Sequence, residues 1–256
     1  MRLKNKALGL LLTSVGVVFL ISYLLKFEPL NDRAQIYLDK GIKTTLASYL
    51  IVRGINAGVS VVKGSEVLLS PAGVGLSLAL GEVLDPLDDI TERVSALLLL
   101  SFISLGMQKL LLELLSGLLL LLAGILALLS GILVMVMGLK TSLLIRLLIL
   151  TLVLRFLFPA IVFANDLVYE EFLKPRIEVV NFQLSNIKGE ISSMASSIRS
   201  TQDLKNTMAT IKTSVDVAFD HLLALALYFA FQTVILPVIN LWLTLKLSLG
   251  ALRLRV

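Results

Sequence analysis

Between Lys174 and Leu222 the apolar positions fall at Ile177, Val180, Leu184, Ile187, Ile191, Met194 and Ile198, in steps of three and four. That is a heptad seam, the pattern of a helix packed lengthwise on another helix. A second seam follows at Leu204, Met208, Ile211, Val215, Ala218 and Leu222. Ser200-Thr201-Gln202-Asp203 lies between them and is rich in residues that cap helix starts. The pair predicts an antiparallel coiled-coil hairpin with its tip near Ser200.

Elsewhere the pattern changes along the chain. From Ala34 to Val62 apolar residues recur at helical spacing, with Asn56 the exception. Val74, Leu76, Leu78 and Leu80 alternate with small residues, which predicts a strand paired with 67–70 across Pro71-Ala72-Gly73. Asp85-Pro86 then reads as a helix start, with Asp as cap and Pro at the first helical position. The run from Ala96 to Leu139 is almost wholly apolar, and a second run follows from Ser142 to Ala164. Residues 166–174 read as an acidic connector, with Pro175 opening the hairpin.

These patterns predict an all-α membrane protein: four transmembrane helices continuing into an external helical bundle, with a coiled-coil hairpin and a small β-hairpin tip. The spans are placed at 7–25, 114–139, 142–165 and 222–248, each long enough to cross a bilayer. The segments are then 1–25 (cytoplasmic start and first span), 26–113 (external helix, β-hairpin and long helix) and 166–221 (external hairpin). Residues 222–256 hold the fourth span and a cytoplasmic end. The first run lacks a small-x-small cleavage site before Lys26, so it reads as a retained anchor rather than a signal peptide. With 57% hydrophobic residues among 256, the composition agrees with the membrane class.

Charge adds orientation. All 18 Asp and Glu lie within 26–113 and 166–220. One side of the four spans instead collects Arg2, Lys4, Lys6, Lys140, Arg146, Lys246, Arg253 and Arg255. The positive-inside rule puts both termini and the Lys140 turn in the cytoplasm and the two large segments outside. A five-span variant, with 95–112 as a separate span, needs a reversal within 107–113, which has neither Gly nor Pro. Length supports the hairpin as well. An unbroken helix over 177–222 would be roughly 67 Å long at 1.5 Å per residue. The connector over 166–176 reaches only about 35 Å, so the path must fold back. Leu97–Leu100 would then be core of the external bundle.

Candidate chemistry is sparse. There is no cysteine, so thiol chemistry is excluded, and with His221 the single histidine a histidine metal site or a Ser-His triad is not expected. No cofactor motif, paired intramembrane carboxylates or aromatic-interleaved basic patch occurs, which argues against an enzyme and against nucleic-acid binding. Arg155 is the informative residue, since a charge within a span faces protein or water by default. Gln232 lies at matching depth in the last span, with Thr13, Ser14 and Gly124 near the same level. The two therefore predict an intramembrane polar layer, against the alternative of an arginine snorkelling toward headgroups or Asp166. Lys109 and Glu113, one turn apart, read as a local ion pair.

The run Arg53-Gly54-Ile55-Asn56, then Ser70-Pro71-Ala72-Gly73-Val74-Gly75, then Leu84-Asp85-Pro86 resembles a family of uncharacterised bacterial inner-membrane proteins. The resemblance covers mainly residues 50–110. It implies a bacterial inner membrane and carries no activity or site residue. The expected role is a non-enzymatic homo-oligomeric assembly in the bilayer, with a channel as its sharpest form and edge pairing of the 74–80 strand joining subunits. The alternative is a scaffold whose external hairpin docks an envelope protein.

Overall fold

The computed structural model describes residues 2–26, 29–69, 74–137, 142–197 and 201–252, and statements below concern those residues. All of them are helical except the turn at Leu25 and Lys26. The order is α1 (Arg2–Leu24), α2 (Pro29–Leu69), α3 (Val74–Met137) and α4 (Ser142–Val168), then a π turn (Tyr169–Leu173) and α5 (Lys174–Ser197). After these come α6 (Thr201–Ala230), a second π turn (Phe231–Ile235) and α7 (Leu236–Leu252). The chain divides into two compact units. The first is Met1–Asp39, Gly106–Leu167 and Leu236–Val256; the second is Lys40–Leu105 and Val168–Ile235.

Five helices are long and apolar enough to cross a membrane, one more than the pattern predicts. The addition is α2, within Asn31–Gly64. In the first unit α1 packs antiparallel on α3 through glycines. A Cβ on Gly16 would stand 2.8 Å from the backbone N of Leu128, and Gly117 lies opposite Tyr23. Thr13 and Ser14 return their hydroxyls to carbonyls of their own helix, at 3.0 Å to Gly9 and 2.9 Å to Leu11. Ala123, Ala127 and Leu148 form the packed centre, flanked by Leu12, Phe19, Leu126 and Leu152. At the end of α1, Lys26 takes the left-handed conformation (φ 51°), the usual way a helix stops and the chain turns.

The second unit gathers the facing parts of α2, α3, α5 and α6. The seam residues Ile177, Val180, Leu184, Ile187 and Ile191 are buried, as are Ile211, Val215, Ala218 and Leu222; Met194 is half-buried. Ile198 and the tip at Ser200 lie outside the described residues. Ser214 donates to the Glu190 carboxylate at 3.0 Å, which ties α5 to α6 in antiparallel register. Asn56, the polar exception on α2, donates to Asp88 at 3.0 Å and to Thr91 at 3.1 Å. Lys63 beside it meets Asp85 and Asp88, each at 2.8 Å.

Four expectations are overturned. Residues 74–80 are helix, as are 65–69, so there is no β-hairpin; residues 70–73 of the expected turn lie outside the described residues. Three of the four apolar positions are Leu, which is a good helix former and not β-branched, so helix propensity wins. Pro86 lies inside α3 rather than at its start. Asp85 is engaged by Lys63 instead of capping.

The third concerns the 166–174 connector, which is helical. Pro175 cannot donate to the carbonyl four residues back, and the π turn just before it lengthens the ladder: the Lys174 N–H bonds Tyr169 O, five back. The same offset recurs at the second π turn, which ends two residues before Pro237. Finally, Leu99 and Leu100 are exposed whereas Leu98, Ser101 and Leu105 are buried, because only one stripe of α3 can face inward.

Candidate functional site

The site begins with Arg155, at mid-length of the apolar α4. Only 5% of the side chain is exposed, so it is enclosed by protein rather than extended along a surface. Its Nη1 donates to Asn31 Oδ1 at 3.4 Å, and its guanidinium carbon lies 5.9 Å from the Phe156 ring centroid. Asn31 is itself buried, in the first turns of α2. An enclosed guanidinium needs acceptors around it, and Asn31 supplies one from a different helix.

Two cavities flank this pair. A polar one of about 610 Å³ is lined by Tyr23, Lys26, Asn31, Asp32, Gln35, Glu113 and Ser116, with Leu24 and Gly117. An apolar one of about 200 Å³ is lined by Leu112, Leu115, Ser116, Leu119, Leu154, Arg155, Pro159 and Thr244. Ser116 lines both, and Arg155 and Asn31 each line one. The arrangement sets a polar cavity carrying both signs of charge beside a slot whose lining is wholly apolar, Arg155 reaching it only through carbon atoms.

Gln232 lies in the second unit, on the second π turn, 2% exposed. Its neighbours are Gly41 and Leu105: a Cβ on Gly41 would stand 3.2 Å from Gln232 Nε2 and 3.3 Å from Leu105 Cδ1. Both amide atoms are buried with no hydrogen-bond partner among the described residues. Thr233 next to it bonds Phe229 O at 2.6 Å and meets Ser101 at 3.1 Å. Arg155 belongs to the first unit and Gln232 to the second. Thr13 and Gly124 belong to the α1–α3 contact. Lys109 does not pair along its own helix with Glu113; its ammonium reaches Asp39 at 2.7 Å, while Glu113 lines the polar cavity.

Sequence reasoning missed Asn31, Ser116 and the trio Lys26, Asp32 and Glu113. A signal was present. Gly9 and Gly16 on α1, and Gly117, Gly124 and Gly131 on α3, are spaced by seven. Aligning the two sets antiparallel places the end of α1 opposite Gly117, and hence the start of α2 beside Glu113 and Ser116.

A multi-helix membrane protein with an enclosed arginine and two neighbouring cavities is the class these features define. Comparison with protein-family models, with curated proteins and with solved structures finds no match.

Proposed function

We propose that the chain is a non-enzymatic oligomeric integral membrane protein of a bacterial inner membrane, self-associating through the outer face of α5. One observation carries this. The seam face of α5 is already buried within the protomer, yet Val179 and Phe182 on its opposite face are 61% and 64% exposed, and Phe172 of the preceding π turn is 56% exposed. A second apolar patch on a helix this polar calls for a partner beyond the one its seam meets, and none covers it among the described residues. With the 74–80 strand replaced by helix, edge pairing between subunits passes to this helical face.

We read four of the five candidate helices as spans, with both termini cytoplasmic. In the first unit α1 runs along α3 from Gly131 toward Gly117, and α2 then continues the same way, from Asn31 beside Ser116 to Asp39 at Lys109. A helix that continues its predecessor's direction does not cross back, so α2 is read as an arm rather than a fifth span. Lys246 stacking on Trp242 at 4.8 Å fits an interfacial anchor near the basic C-terminal end of α7.

Native mass in detergent tests the assembly. The wild type should be oligomeric, Phe182→Ser should shift it toward monomer, and Val179→Cys should cross-link between subunits. A monomeric wild type overturns self-association and leaves the same face for an envelope-protein partner.

A further inference from the structure

We propose that the two cavities beside Arg155 form one binding site for a zwitterionic phospholipid. The headgroup occupies the polar cavity and a stretch of one acyl chain occupies the apolar one. This rests on reading the first unit as the membrane-embedded part.

Shape gives the first reason. Ser116 lines both cavities, and the Arg155–Asn31 hydrogen bond joins the lining of one to that of the other. A ligand with a polar and an apolar end matches that division. An apolar cavity of about 150 Å³ holds a benzene ring. The slot of about 200 Å³ between Leu115 and Leu154 therefore has room for several methylenes.

Charge selects the headgroup. Arg155 meets the slot only through carbon atoms, and its Nη1 turns to Asn31, which lines the polar cavity. The polar cavity adds Lys26 but also two carboxylates, Asp32 and Glu113. A purely anionic headgroup would be repelled by those carboxylates. A phosphate followed by an ammonium complements both signs, with the phosphate toward Lys26 and the side where Asn31 holds Arg155, and the ammonium toward Asp32 and Glu113. The turn that ends α1 at Lys26 and the first acidic residue of α2 supply charges where an apolar span stops, the level at which headgroups lie.

The test uses the full chain in vesicles of phosphatidylethanolamine and phosphatidylglycerol, with a trace of phosphatidylethanolamine bearing a diazirine on its acyl chain. Flotation with the vesicles first separates a failure of the membrane reading from a failure of the site. After photolysis, adducts should concentrate on peptides holding Leu112–Leu119 and Leu154. Unlabelled phosphatidylethanolamine should compete about fivefold better than phosphatidylglycerol, the scale of one favourable exposed charge contact. Glu113→Gln, at an exposed position that should not disturb folding, should bring that ratio close to one, and Arg155→Lys should retain more labelling than Arg155→Leu. Adducts spread evenly over the exposed leucines of α1 and α7 overturn the site. Equal competition by the two lipids in the wild type, or an unchanged ratio in Glu113→Gln, overturns the headgroup assignment.

Discussion

Gly9 of α1 and Gly131 of α3 face each other so closely that neither position has room for a methyl group. A Cβ on Gly9 would stand 2.9 Å from the carbonyl oxygen of Gly131, and one on Gly131 would stand 2.8 Å from that of Gly9. One repeat further along, a Cβ on Gly16 would stand 3.0 Å from the oxygen of Gly124. Burial of apolar surface gives little drive between helices in lipid, so close backbone approach and Cα–H···O contacts must hold α1 in place.

Gly131→Ala should therefore destabilise the first unit, by about 1–3 kcal/mol, the usual cost of overpacking. The new methyl meets Thr13 N at 2.7 Å as well as the Gly9 oxygen, and backbone cannot step aside as a side chain can. Gly106→Ala on the same helix is the control. Nothing lies within 4 Å of its Cβ position, so the change should be neutral or stabilise by roughly 0.5–1 kcal/mol. Thermal unfolding in detergent reads both, and equal effects would count against the close-approach account.

Much of the helical content is legible in the sequence, because three-and-four spacing of apolar residues is what an amphipathic helix requires. Ile177 to Ile191 are an example. Local signals that imitate other structures were harder to read. Val74 to Leu80 alternates like a strand but is built from helix formers. Pro86 and Pro175 resemble helix starts, yet Lys63 draws Asp85 away from capping, and a π turn lets the helix run through Pro175. Arg155 stood out as a charge in an apolar run. Its partner Asn31 did not, since a residue 124 positions away can be found only from helix register.

Ile187→Asp should disrupt the α5–α6 pairing. Ile187 is 5% exposed, and a carboxylate there would lose its water without gaining a partner, costing about 3 kcal/mol or more. Ser193→Asp, at an exposed position of the same helix, should be tolerated. Hydrogen exchange of α5 and α6 amides reports the difference, and similar exchange in the two variants would contradict the seam.

Glu170 predicts a pH dependence. It lies beyond the third apolar run and accepts from Lys174 and Lys40, each at 2.7 Å. The Lys174 ammonium, with Lys40 second, holds its carboxyl below the ordinary carboxylate range. A depressed carboxyl contributes stability above its unfolded pKa, and that contribution is lost as pH falls through the folded value. The gap in stability between wild type and Glu170→Gln should be level above about pH 6 and shrink below about pH 4. Both pairs are partly exposed, so the gap should be small and reduced further by salt. A gap that widens on acidification would show the opposite linkage.

Gln232 gives the last prediction. Its amide is buried on a π turn, where neither Nε2 nor Oε1 has a hydrogen-bond partner among the described residues. A buried amide without partners costs stability, and a residue of similar shape without polar atoms removes that cost. Gln232→Met should then raise the unfolding free energy by about 1–3 kcal/mol. Gly41→Ala is a counterpart from the facing helix. Its methyl would lie 3.2 Å from Nε2 and 3.3 Å from Leu105, so it should destabilise in the wild type. Methionine flexes where an amide is rigid, so the same change should cost less in the Gln232→Met background. Unfolding measurements on the two single variants and the double variant separate these terms. A loss of stability in Gln232→Met would mean that the amide holds a hydrogen-bonded occupant in the second unit, and the residue would then be there for that occupant rather than for packing.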